Sequence, residues 1–218
     1  MPTNRLHQII RTLALVTDRY APSRILSFGL AHVFKTMQLM ENNGRISRAL
    51  LMEGLGLREG SIKTLVKHMK MNGLIDNSNA GMWLTNKGKA MFAKLQSAIP
   101  AEMDVPKCSI AIGRFNHAIL VKGLADNIRS GIEQRDVAIK IGAVGATTLI
   151  FRDGRFMMPE RNQNPLKKDP QVRVSMIKNL KPDDSDVVII GSATDRRTAE
   201  MAAKSAALQT IASHERHI

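Results

Sequence analysis

Midway along the chain the spacing of apolar residues changes, and that change constrains the fold more than any other feature of the sequence. Up to about Ala98, apolar side chains recur three and four apart, as in Leu6, Ile9, Ile10 and Leu13 or Ile62, Leu65, Val66 and Met69. This is the rhythm of helices with one buried face. From Cys108 onward they gather in short runs such as His117-Ala-Ile-Leu-Val and Val187-Val-Ile-Ile, which suit strands of a buried sheet. Between the two lies Ala98 to Pro106, with prolines at 100 and 106, the natural place for a boundary. The 218 residues therefore divide into a mostly helical domain at 1–100 and an α+β domain at 106–218, each near the usual domain size of about 100–150 residues. At 44% hydrophobic and 23% charged, the composition supports packed cores and excludes disorder as the main state.

In the first half, a helix is expected from Arg5 to about Asp18, ended by Pro22. Ser23 can cap a second helix carrying Ile25, Leu26, Leu30, Val33, Phe34, Met37 and Met40, which stops at Asn42-Asn43-Gly44. Ile46 to Gly54 reads as a third helix, Gly54-Leu-Gly-Leu57 as a turn, and Arg58 to Met71 as a fourth helix closed by Gly73. Leu74-Ile75 begins an extended segment, Asp76 to Gly81 is dense in turn formers, and Met82 to Thr85 returns as a strand, so a hairpin with a polar tip is expected. A last helix runs from Lys89 to Ala98. Met37, Met40, Met52, Met69 and Met71 read as core filler, and Trp83 as a packing anchor.

Gly-Leu-Arg-Glu-Gly-Ser-Ile-Lys-Thr-Leu-Val-Lys-His-Met-Lys-Met-Asn-Gly-Leu-Ile (Gly56–Ile75), followed by Leu84-Thr85-Asn86-Lys87-Gly88, resembles winged helix-turn-helix transcriptional regulators over about residues 25–98. Their pattern is a basic recognition helix, a Gly-Leu-Ile step, a polar wing and Leu-Thr-x-x-Gly. The resemblance implies a recognition helix at about 58–71 in the major groove of double-stranded DNA, and a wing at about 76–82 on the backbone or minor groove. An α-helix fits that groove, where base edges are distinguishable, and lysines beside it release counterions from phosphates. The expected DNA face is Arg58, Ser61, Lys63, Thr64, Lys67, His68 and Lys70 on the helix, with Asn77, Ser78 and Asn79 on the wing. Ser61 and Thr64 would touch bases or phosphates, Lys67 and Lys70 charge alone. A solvated helix face accounts for the same lysines, and winged helices also serve as protein–protein modules. No ligand-spaced cluster surrounds His32 or His68, so no metal is expected.

In the second half, Ser109 to Phe115 and His117 to Gly123 read as strands, Ile128 to Ile141 as a helix, and Thr147 to Arg152 and Arg155 to Met158 as a hairpin around Asp153-Gly154. A polar stretch from Glu160 to Pro170 leads to a helix near Gln171–Leu180, a strand at Val187–Gly191 and an alanine-rich helix from Thr194 to Ser213. This order indicates a two-layer α+β sandwich. With this half added, the chain resembles a group of archaeal two-domain proteins, on Glu59–Leu65 and Glu133–Leu149. Its second domain is similar in fold to the GAD-type domain of bacterial aspartyl-tRNA synthetases, a likeness that transfers no chemistry.

Gly191, Ser192 and Thr194, between a strand and a helix start, with Arg196 and Arg197 in the first turn, are candidates for holding a small anionic effector. Simple capping by Ser192 and Asp195, which stand at capping-box spacing, is the favoured reading of these residues. The glycine-rich Gly142–Thr148 lacks the ending of a phosphate loop. Cys108 and His117 stand nine apart with nothing to orient them, no acid, base and nucleophile constellation is evident, and the chain reads as a non-enzyme without cofactor.

The net charge of +13 points to a polyanionic partner. Residues 1–103 carry 14 basic and 6 acidic side chains, a net of +8, and the remainder a net of +5. A single cysteine excludes an intrachain disulfide and suits a reducing compartment. With no apolar run of about 18 residues and no signal-peptide core, the expectation is a cytoplasmic, DNA-binding homodimer. An RNA-associated module is disfavoured by only 4% aromatics. An enzyme acting on a phosphorylated small molecule at Gly191–Thr194 is the third possibility.

Overall fold

The computed structural model describes residues 3–17, 26–159 and 164–214. The chain forms two compact units, the first ending at Leu95 and the second beginning at Gln96. It is mixed helix and sheet, helical in the first unit and sheet-containing in the second.

The first unit contains α1 (Thr3–Thr17), α2 (Leu30–Asn43), α3 (Arg48–Leu55), α4 (Glu59–Met71), β1 (Ile75–Ser78) and β2 (Gly81–Leu84), and leads into α5 (Asn86–Ala98). The apolar stripes meet in one core that includes Leu13, Val16, Phe34, Met37, Met40, Ile62, Leu65 and Met69. Met52 and Met71, expected inside, are exposed. The second helix starts later than the sequence suggests, at Leu30 behind Gly29. Leu26 to Gly29 are not helical, and Pro22, Ser23 and Ile25 lie outside the described residues. His32 caps α2 from within, Nδ1 accepting the Gly29 N–H at 3.1 Å; burial lowers its pKa and favours the neutral ring this requires. Ser47 caps α3 by accepting the Leu50 N–H at 3.2 Å, and Gly56 closes it in the left-handed conformation.

The Gly-Leu-Ile and Leu-Thr-x-x-Gly pieces lock together. Thr85 donates its hydroxyl to the Gly73 carbonyl at 2.6 Å and accepts the Gly88 N–H at 3.1 Å. Its own N–H reaches the Leu74 carbonyl at 3.0 Å. A Cβ at residue 88 would stand 2.0 Å from the Leu74 oxygen, so only glycine lets α5 start against the end of α4. Ile46 extends the hairpin by bridging Met82.

The second unit holds β3 (Glu102–Val105), β4 (Phe115–Val121), α6 (Ile132–Lys140), β5 (Gly145–Arg152), β6 (Arg155–Met157), α7 (Pro170–Leu180), β7 (Val187–Ala193) and α8 (Arg196–His214). Its sheet runs β3-β4-β7-β5-β6 with every pairing antiparallel. Two expectations are corrected here. The expected linker contributes β3, whose Glu102 and Asp104 are neutralised by cations far along the chain. The expected strand at 109–115 is a loop until Phe115, because Asn116 folds it back by binding both the N–H and the carbonyl of Gly113. The Asp153-Gly154 turn forms as expected, with both residues at positive φ.

Strand β7 is buried on both faces. Val188 and Ile190 join Leu120, Leu149 and Phe151 in a cluster completed by Met176 and Leu180 of α7. Ala193, on the other face, packs with Ala138 of α6 and Ala199 and Ala202 of α8. The helices of the sandwich thus lie on both faces of the sheet.

Candidate nucleic-acid interface

Helix α4 buries Ile62, Leu65, Val66 and Met69, which turns Arg58, Lys63 and Lys67 outward. Lys63 pairs with Glu59 one turn earlier at 2.8 Å, with both side chains more than half exposed, an association that water screens and a phosphate can replace. Among the described residues neither Arg58 nor Lys67 has an ion-pair partner. Ser61 shares a 2.6 Å hydrogen bond with the hydroxyl of Ser27. Thr64 donates to the Gly60 carbonyl at 3.0 Å and keeps its oxygen lone pairs and methyl group for a partner.

Two expected members of this face serve the fold. His68 is 5% exposed; its Nδ1–H donates to the Val16 carbonyl at 2.8 Å, and its ring meets Phe28 edge-on. It stands three residues beyond Leu65, on the margin of the buried stripe, and this removes it from the DNA face. Lys70 turns sideways to the hairpin, where its ammonium reaches Asn77 Oδ1 at 2.5 Å and Asp76 at 3.2 Å. The Asn77 N–H, followed by Lys70, holds the Asp76 carboxyl below its ordinary pKa. Lys70 therefore ties α4 to the hairpin.

At the hairpin, Asn77, Ser78 and Asn79 are exposed. Ser78 accepts from Arg45 at 3.3 Å and from the Ala80 N–H at 3.1 Å. The Arg45 guanidinium lies over the Trp83 ring, 4.0 Å from its centroid, so Trp83 is a stacking platform as well as an anchor. Arg45 escaped the sequence reading. Its position follows from the Ile46–Met82 bridge, which sets the preceding residue beside the one after Met82. Arg48, Asn77, Ser78 and Asn79 line a groove between the start of α3, Val66 of α4 and the hairpin.

The candidate anion site at the start of α8 is closed. Gly191 and Ser192 are buried strand residues, and Ser192 donates to Asn116 Oδ1 at 2.7 Å. A Cβ at 191 would stand 2.4 Å from the Ala199 carbonyl oxygen, so the glycine serves helix–sheet contact. Asp195, alone of the two capping candidates, accepts the Thr198 N–H at 2.9 Å, and the Thr198 hydroxyl, followed by that N–H, lowers its pKa. Its negative charge disfavours an anion there. Arg196 turns away to pair with Asp104, and Thr194 and Arg197 are exposed.

A buried polar cluster lies beneath this helix. His117 of β4 donates Nδ1–H to Asp104 at 2.9 Å and places Nε2 3.4 Å from Glu102. Lys204, fully buried, pairs with Glu102 and with Glu200. Burial alone would raise the Glu102 pKa, but the His117 ring and the Lys204 ammonium overcome it and hold the value at about 2. Glu102, His117 and Glu200 offer atoms within 4.8 Å of one another, and the Lys204 ammonium already fills the place a cation would take.

Residues 30–99 match the CggR N-terminal DNA binding domain. Residues 112–211 match DUF4443, a domain of unknown function. Among solved structures the chain is similar to a hypothetical protein from Pyrococcus horikoshii OT3. The two share 28% identity over 83% of this chain and 91% of that one, with a TM-score of 0.67. No curated protein matches the chain. The two-domain architecture, with a helical domain of DNA-binding type first, is thus one that the sequence, the fold and the comparisons agree on. Among the described residues no helix is long and apolar enough to cross a membrane.

Proposed function

We propose that the chain is a DNA-binding regulator of transcription, with α4 in the major groove of double-stranded DNA and the β1–β2 hairpin as a wing on the adjacent backbone or minor groove. The observation that carries this reading is the outward face of α4. There Arg58, Lys63 and Lys67 stand free of buried partners, beside a hairpin already tied to the same helix by Lys70. The match of residues 30–99 to a DNA binding domain supports it. Direct readout would fall to Ser61 and Thr64, and phosphate neutralisation to Arg58, Lys63 and Lys67. Asn77, Ser78, Asn79 and Arg45 would serve the wing. The second unit would pair two copies, setting their recognition helices about 34 Å apart on a two-fold operator, or sense a small effector elsewhere than at the start of α8, or both.

The test is a titration of duplex DNA and structured RNA at two salt concentrations, with the intact protein and a Lys63→Ala/Lys67→Ala variant. Duplex is expected to bind more tightly than RNA, and the variant to flatten the salt dependence by about one unit of slope per lost phosphate contact. Equal affinity for RNA, with neither curve changed by the variant, defeats the reading.

A further inference from the structure

Charge in the second unit is unevenly placed. Residues 164–181 hold Lys167, Lys168, Arg173, Lys178 and Lys181 against one acid, Asp169. That acid is engaged by the fold, accepting the backbone N–H of Ser109 at 3.1 Å and the Ser109 hydroxyl. Several other cations of the unit are paired within the fold: Lys122 with Asp183 and Asp186, Arg152 with Asp126, Arg196 with Asp104, and Lys204 with Glu102 and Glu200. Among the described residues none of the five cations around α7 has an ion-pair partner. The four lysines are exposed, and Arg173 is half-buried.

The buried side of α7 is spent on the core through Met176 and Leu180. Its outer side is a shallow groove of Pro170, Gln171, Val174, Ser175, Lys178 and Asn179 that contains no acid. The helix has 11 residues, about 16 Å at 1.5 Å per residue, a length that matches the axial rise of about five phosphates of one strand of B-form DNA. Lysines stand before it, on it and just beyond its end. No aromatic residue occurs from 164 to 181, so the stacking platform that single strands need is missing. Val174, 59% exposed, is the only bulky apolar side chain bared on α7, too little for insertion into a lipid surface.

We propose that the outer face of α7 is a second DNA-backbone site, which takes the phosphates of a duplex without reading sequence. It deepens the regulator reading by giving the second unit a share of the same polyanion, and it rests on that reading for the identity of the ligand. Flexible lysine ammoniums act as point charges on phosphate, so the contribution is the same for every sequence.

The experiment compares three full-length proteins: the unaltered chain, a Lys167→Ala/Lys168→Ala/Lys178→Ala/Lys181→Ala variant, and the α4 variant Lys63→Ala/Lys67→Ala. Each is titrated with duplexes of unrelated sequence, structured RNA and anionic phospholipid vesicles over a salt series. The α7 variant is expected to lose at least tenfold in affinity for every duplex at low salt, with a salt slope lower by up to about four. Denaturation midpoints check that the folds are equivalent. An unchanged slope for duplex overturns the proposal, and so does a loss confined to RNA or to vesicles. If only the α4 variant weakens binding, this inference fails and the regulator reading stands. If only the α7 variant does, the α7 site stands and the placement of α4 in the groove fails.

Discussion

Gly60 is hard to explain by the fold alone. It stands in the first turn of α4, exposed, where a Cβ would meet nothing within 4 Å. Glycine in a helix costs about 0.5–1 kcal/mol relative to alanine, and nothing inside the protein recovers it. What the glycine provides is bare backbone at the end of the helix that would enter a groove. Gly60→Ala is therefore expected to stabilise the first unit by about 0.5–1 kcal/mol in chemical denaturation while weakening duplex binding. Stabilisation with unchanged affinity would show that no ligand approaches this turn closely. His68, on the same helix, teaches the opposite lesson. Its spacing from Leu65 already put it beside the apolar stripe, but its residue type suggested the charged face. Periodicity was the better guide, because an imidazole with one hydrogen-bonded nitrogen tolerates burial.

Among the elements, those set by local chemistry were legible in the sequence. The helices of the first unit, the hairpin and the Asp153-Gly154 turn depend on residues within a few positions of one another. Strand β3 was not legible, because the charges of Glu102 and Asp104 are accommodated at the sheet edge only when Lys204 and Arg196 arrive about a hundred residues later. The segment at 109–114 alternates like a strand, yet the side chain of Asn116 claims the backbone of Gly113. Gly191 was misplaced for a related reason. Glycine at a strand end suggests a ligand loop, whereas here it lets α8 lie directly on β7. Gly191→Ala would push a methyl group against the Ala199 carbonyl and the Ala203 N–H, both backbone. The expected loss is about 3 kcal/mol, the upper end of overpacking, seen as an earlier unfolding transition of the second unit. A near-neutral result would mean that α8 can slide.

For the molecule as a whole, acid should unfasten the second unit by a defined route. Glu102 is held at about 2 against an ordinary 4.5, so its contribution is fully present above about pH 4.5 and is lost as the pH falls through about 2. With the side chain 26% exposed, that contribution is about 2–3 kcal/mol from about 1.4 kcal/mol per unit. Denaturation followed between neutral pH and pH 2 should show the second unit weakening over this range, and Glu102→Gln should flatten the dependence. An unchanged slope in that variant would assign the acid sensitivity to other carboxylates. The stacked pair at the hairpin carries a different consequence. Trp83 is the sole tryptophan of the chain, and it lies under the Arg45 guanidinium. Indole emission from the whole protein is consequently light from one spot of the first unit, a built-in optical gauge of whatever draws that arginine away.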